Sequence, residues 1–210
     1  MRRLLIALAI LLVVLVVGDF VAKAYATSQL RDRAERAARG ATSASASISS
    51  FPFILRLLVA GSVENAHVRV GPVVAGRVTF ASVSVDLHDV HVDRNRLIND
   101  QEVRLTGLGS GTLTAELTGA EVSRLVGTGV VFHPGRVTVS ANGVDEAGTV
   151  RVADGSLSFG GLRVPIKFRV PRAPLFPCDA TSAVLKEGAV DLSCTVNRVP
   201  PELVGVTVKA

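Results

Sequence analysis

From residue 62 onward, apolar side chains return at every second position, and this alternation limits the fold more than any other feature. Val68 and Val70, Val78 and Phe80, and Val83, Val85 and Leu87 all stand between polar or small neighbours. A period of two places one set of side chains on one face of a strand. The apolar parity then changes from odd (83, 85, 87) to even (Val90, Val92) across His88-Asp89, the pattern a β-bulge leaves in a sequence. Further strands are expected at Leu113 to Leu117, Val137/Val139, Val150/Val152, Leu157/Phe159, Leu162 to Val170 and Val190/Leu192. Turns are expected at Pro134-Gly135, Asn142-Gly143, Asp154-Gly155, Gly160-Gly161 and Glu187-Gly188. Strands in meander order, with 35 valines among 210 residues, predict an α+β protein built on a large, bent antiparallel sheet. The strands between 157 and 170 are expected to be long. A sheet with one apolar face needs a cover, and the cover is either helix or an apolar ligand.

The helical segments are few. Phe20, Ala24, Thr27, Leu30, Ala34 and Ala37 form a thin apolar stripe over 19–39, with Arg31/Glu35, Asp32/Arg36 and Glu35/Arg39 as i,i+4 ion pairs and Gly40 as the stop. Residues 41–50 alternate small and hydroxyl side chains and read as a linker or a strand. Phe51 to Ala60 then reads as a short helix, capped by Ser49 or Ser50, with Pro52 in its first turn and Gly61 ending it. Arg56 is its one polar side chain, so the helix must be buried or touch lipid. Thr118-Gly119-Ala120-Glu121 is a capping box opening a second short helix that Gly127 stops.

Ahead of these lies Met1-Arg2-Arg3 and the unbroken apolar run Leu4 to Val17. Fourteen helical residues would cover about 21 Å, less than the roughly 30 Å hydrocarbon core. Ala22-Lys23-Ala24 and Ala24-Tyr25-Ala26 follow as small-x-small sites. The segment is either a cleaved signal peptide (1–26) or an uncleaved signal anchor holding the protein in the cytoplasmic membrane by residues 4–22. Both export the body, 27–210, which reads as a single domain in the periplasm or cell envelope. In an exported protein Cys178 and Cys194, the only cysteines, are expected to form one disulfide closing the hairpin between them, with two free buried thiols as the alternative.

Charge excludes one class of partner. Residues 1–40 carry seven basic and three acidic groups, whereas 41–210 carry sixteen and fifteen. The pI of 9.9 therefore belongs to the N-terminus, and no broad basic face remains for nucleic acid. Tryptophan is absent and aromatics are 4% of the chain, which removes stacking platforms for bases or sugars. His88 to Asp93 places two histidines and two aspartates close together. With a bulge there, Asp86, His91 and Asp93 could share a face with His88 or Asp89. A solvated polar face is expected, and no metal is assigned. Gly107-Leu108-Gly109-Ser110-Gly111 lacks the order of a nucleophile elbow and is expected to be a hairpin turn. No carboxylate pair sits in apolar surroundings, so no catalytic residue and no cofactor are assigned and an enzyme is not expected.

These residues resemble the LmeA family of exported phospholipid-binding proteins of actinobacteria. The similar features are the apolar N-terminus running into a helix, Ser50-Phe51-Pro52-Phe53 through Leu57, and Gly61. They continue with the alternating stretch 78–93, the helix 117–127, and Cys178 and Cys194 near Val199-Pro200. That family is similar to the tubular lipid-binding superfamily, in which a long helix is wrapped by a strongly curved antiparallel sheet. The resemblance implies phospholipid as partner, a membrane contact through the N-terminal segment, and an apolar interior that faces lipid. From the residues themselves, the candidate lining is Phe51, Phe53, Ile54, Leu57, Leu58, Phe80, Val83, Val85, Leu87, Ile166 and Phe168, with Arg56 as the candidate headgroup contact. The alternative is a membrane-tethered structural module with a filled core and no ligand; an envelope-glycan enzyme is less favoured.

Overall fold

The computed structural model describes residues 16–32, 41–100, 102–141, 143–163, 166–173, 176–197 and 208–209. The run Leu4 to Leu15, the C-terminal part of the expected first helix and the turn residue Asn142 lie outside them. The architecture is a curved α+β arrangement of an N-terminal helix, short helices and antiparallel sheets, not a closed barrel. Residues 16–32 form helix α1. Strand β1 (Ser43–Ser49) follows; its alternating small residues therefore form a strand and not a linker. Helix α2 begins as an α-helical turn, Phe53–Leu55, and runs on in π geometry through Arg56–Ala60, ending at Gly61 with φ +62°.

The larger sheet has six strands in the order β1, β2 (Ser62–Gly71), β5 (Ser82–Val92), β7 (Leu105–Thr118), β14 (Ala189–Val196) and β13 (Ser182–Lys186). Between β2 and β5 lies a hairpin of β3 (Val73–Ala75) and β4 (Val78–Phe80). The second sheet has five strands, β8 (Gly129–His133), β9 (Arg136–Ala141), β10 (Val144–Ala153), β11 (Ser156–Gly160) and β12 (Ile166–Arg169), each paired to the next. A short pair, β6 (Glu102–Val103) and β15 (Val208–Lys209), completes the described strands. The expected turns at 134–135, 154–155 and 187–188 all join paired strands.

Three expectations about strands need correction. The segment 157–170 is not long: Gly161, at φ +82°, breaks it into β11 and β12. The long strands are β7, with 14 residues, and β5, with 11. The glycines at 107, 109 and 111 are not a hairpin turn but lie inside β7. Each receives a side chain from a neighbouring strand. A Cβ on Gly109 would come within 2.8 Å of the Asp89 Cβ, and one on Gly111 within 2.8 Å of Leu87 Cδ2 and 2.9 Å of Val196 Cγ2. The bend expected at His88-Asp89 is there, but no extra residue makes it. Asp89 adopts φ +50° while the pairing register with β2 and β7 runs unbroken through His91, and the register shift itself falls between His91 and Val92.

One helix was not foreseen. Arg94–Asn99 forms α3, capped by the Asp93 carboxylate, which accepts from the Asn95 and Arg96 amides. Helix α4 (Gly119–Val126) is the expected one, with Thr118 Oγ1 accepting from the Glu121 amide at 3.2 Å. The return bond of a capping box is replaced: the Glu121 carboxylate reaches across to the Thr79 amide at 2.7 Å and pairs with Arg124, Nε to Oε2 2.9 Å. The Arg124 guanidinium, aided by Thr79, holds the Glu121 carboxyl below the ordinary carboxylate range against an opposing effect of burial. A lowered folded pKa contributes stability that is complete above the unfolded value of about 4.3 and is lost as the pH falls through the folded one. Glu121→Ala is thus expected to cost about 2 kcal/mol at neutral pH, a charge-assisted hydrogen bond between α4 and the β3–β4 hairpin being removed. The penalty should shrink in acid below that value, which thermal melts between pH 7 and pH 3 would measure.

Candidate functional site

The inward face of the larger sheet is a series of apolar rows in register. The first runs Ala44, Val70, Val83, Ala115, Leu192, Ala183; the second Ala46, Val68, Val85, Leu113, Cys194; the third Ile48, Ala66, Leu87, Gly111, Val196. Alternation along each strand produces these rows, because antiparallel pairing aligns the apolar sets. Burial falls along β2 and β5, while Leu113 and Cys194 of the second row and Ile48 of the third stay buried. In the first row Val70, Val83, Ala115 and Leu192 are all 0% exposed. In the second, Val68 and Val85 are half-buried, and in the third so are Ala66, Leu87 and Val196.

The first row is sealed by the rest of the fold. Phe132, Val137, Val139, Leu157 and Phe159 of the second sheet, Val122 of α4, Phe80 of β4 and Phe176 close over it as one cluster. Phe80 and Phe176 have ring centroids 6.4 Å apart, and Phe132 and Phe159 6.1 Å. The third row leaves that cluster over β1, β2 and β5, while Val196 of β14 still packs against it. Ala66 and Leu87 form no part of it, and buried Ile48, Phe53 and Val90 lie outside it too. The apolar face is therefore a closed core at one end and an open stripe at the other.

Past the third row, the strands change face together. Glu64, Asp89 and Gly109 are exposed and skipped by the pairing, and Val63, Val90 and Leu108 then align with the opposite parity. Gly109 has no side chain to oppose Asp89, which leaves room for the left-handed residue.

Helix α2 stands beside β2 at the far end of the stripe, and its cap comes from outside. Neither Ser49 nor Ser50 caps it. The Asp19 carboxylate of α1, only 5% exposed, accepts from the Ile54 amide at 2.7 Å. An anion beside unpaired amides of a helix N-terminus is favourable. Helix α1 is accordingly turned so that Asp19 faces the protein and Phe20 and Ala24 of the expected apolar stripe face outward, while Thr27 and Leu30 are half-buried. The Ser50 hydroxyl, buried beneath α2, has no partner among the described residues. Asp19→Ala is expected to cost about 1–2 kcal/mol, leaving the Ile54 amide unpaired. Hydrogen exchange should then show faster exchange at Ile54 and along α1, and unchanged exchange at Val83.

The candidate lining residues separate into three groups. Phe51 and Leu58 of the α2 region are exposed (65% and 43%), Phe53 is buried at 5%, and Ile54 and Leu57 are half-buried. Val85 and Leu87 lie on the open stripe. Phe80 and Val83 lie within the closed core, and Ile166 and Phe168 of β12 pack on its flank, with Phe168 edge-on to Phe159 at 6.3 Å. Arg56 is at the helix end of the stripe, paired with Glu64 at 3.2 Å. Reasoning from sequence missed Ala46, Ile48, Ala66 and Val196. Their alternation was visible, but the strand register that joins them to Leu87 was not.

The outer face carries the polar groups. His88 Nδ1 meets Asn65 Oδ1 at 2.6 Å, His67 meets Asp86 at 2.5 Å, and His91 Nδ1 meets the Asp89 carbonyl at 3.0 Å. Each histidine thus has a separate local partner. Among the described residues no three metal-capable side chains converge. The Asp179 carboxyl is held low by Arg172, and the Lys186 ammonium is held high by Asp191. Both are surface ion pairs away from the apolar face. Cys178 and Cys194 form a disulfide across 16 residues, with Cα atoms 6.4 Å apart, tying the segment before β13 to β14. Helices long and apolar enough to cross a membrane are absent from the described residues.

What this arrangement offers is apolar surface without reactive groups: a stripe a few strands wide, open at one end and walled by a packed core at the other. No curated protein and no solved structure matches the chain. The family comparison does: the model of the LmeA-like phospholipid-binding family matches residues 17–207, from the second described residue of α1 to the residue before β15, and the chain belongs to that family.

Proposed function

We propose that this protein is an extracytoplasmic binder or carrier of phospholipid in the cell envelope. Residues 4–22 export it or anchor it in the cytoplasmic membrane, and 27–210 form its single lipid-binding domain. Acyl chains lie along the open stripe between the third row of the sheet and α2, where they complete a core that the protein leaves unfinished. The observation that carries this reading is the fall in burial from Val83 to Leu87 on one continuous apolar face. Each methylene moved from water onto that face is worth up to about 0.8 kcal/mol. Among the described residues, the apolar face supplies no acid, base or nucleophile to act on the lipid.

Native mass spectrometry of the purified chain, with uptake of a fluorescent phospholipid, tests it. Masses corresponding to bound phospholipid and saturable uptake are expected. A lipid-free chain that takes up none would favour the ligand-free module instead.

A further inference from the structure

Around α2 the apolar surface turns outward. Phe51, Leu55 and Val59 are 65%, 59% and 65% exposed, and Phe20 and Val21 of α1 are 63% and 64% exposed. The Asp19–Ile54 hydrogen bond holds the first turns of the two helices side by side. Ile98 of α3, 55% exposed, adds a third element, since Arg94 Nη1 donates to the Val59 carbonyl at 3.1 Å and joins α3 to the end of α2. Phe51 with Leu55, Leu58 and Val59 of α2, beside Val17, Phe20, Val21 and Tyr25 of α1, all in water, are far from ordinary scatter of surface hydrophobics.

We propose that this three-helix tip is a bilayer-docking surface: α1, α2 and α3 insert their apolar side chains at the lipid interface and present the open stripe to the membrane. The occupant follows from the chain that enters here. The run Leu4 to Val17 carries no polar residue and stands in the sequence just before Asp19, whose carboxylate holds the Ile54 amide of α2. A run apolar over 14 residues in the sequence and an apolar tip share lipid as their solvent. Most of the charges nearby are engaged within the protein: Arg56 pairs with Glu64, Arg96 with Asp93, and Arg94 donates to the Val59 carbonyl. Docking is therefore driven by apolar insertion and is expected on zwitterionic as well as anionic bilayers, with little salt dependence. The inference rests on the membrane location proposed above and adds to it a defined face and orientation.

The chain has no tryptophan, so single-tryptophan reporters are unambiguous. The full chain carrying Phe51→Trp, Leu55→Trp or Val59→Trp is reconstituted into vesicles of phosphatidylcholine, with or without bromine on the acyl chains. Leu87→Trp reports the stripe, and Val144→Trp, 51% exposed on the second sheet, is the control. Side chains inserted about 5–10 Å into the interface should lose about half their emission in brominated vesicles, and Val144→Trp none. Quenching at the tip no greater than at Val144→Trp overturns the proposal. So does a blue shift at the tip without quenching, the signature of the N-terminal run or a second copy covering it. Quenching at Leu87→Trp alone leaves lipid binding standing and removes docking; quenching at the tip alone does the reverse. The tip positions are exposed, so the larger ring fits without repacking.

Discussion

Leu87→Asp is expected to yield a folded protein that no longer retains phospholipid. Leu87 is half-buried on the open stripe, in register with Ala66 and Gly111, and outside the closed core. In the empty protein a carboxylate there remains in reach of water, so the cost to folding is modest. Once acyl chains cover the stripe, the same carboxylate must lose its water or the lipid must withdraw. Desolvating an unpaired charge costs several kcal/mol. Each 1.4 kcal/mol is a tenfold loss of affinity, so a fall of at least about a hundredfold is expected. The measurement is lipid occupancy in native mass spectra beside a thermal melt. Full occupancy at an unchanged melting temperature would move the lipid elsewhere on the molecule.

Phe80→Ala is expected to give the complementary result. Phe80 is 0% exposed, its ring tilted 44° against that of Phe176, and it is surrounded by the closed cluster. Truncating a buried phenylalanine in a packed core costs about 3–5 kcal/mol, from lost transfer energy and the cavity left behind. For a chain of this size that lowers the melting temperature by roughly 10 °C. Lipid occupancy in the folded fraction should be unchanged, because the closed core and the stripe are separate parts of the face. Loss of lipid without loss of stability would mean that acyl chains reach Phe80. The two variants together separate what holds the protein together from what holds the ligand.

Much of this was legible in the sequence. Period-two alternation predicted the sheet, because burial of one face is a local constraint repeated along each strand. The parity change at 88–89 located the bend, and Gly61 and Gly127 marked helix ends that need a left-handed residue. What escaped was what depends on a partner distant in the chain. The glycines of β7 look like a turn until Asp89, Leu87 and Val196 are seen beside them. Asp19 looks like an interruption of an apolar run until Ile54 is placed against it. Helix α3 is six residues long with no apolar period, so only its cap, Asp93, announced it. Phe80 and Leu87 are alike as sequence, both apolar residues on alternating strands. Which is sealed and which open depends on where the second sheet ends.

The row formed by Glu64, Asp89 and Gly109 also limits how this fold can change its length. The strands reverse their inward side at that row together, so their apolar sets agree both above and below it. Deleting one residue from a single strand near the row would turn that strand's remaining side chains to the wrong side while its neighbours kept theirs. Growth and shrinkage of the chain are therefore confined to the turns, such as Pro134-Gly135 and Glu187-Gly188, and the kink can shift along the sheet only if β2, β5 and β7 shift in concert.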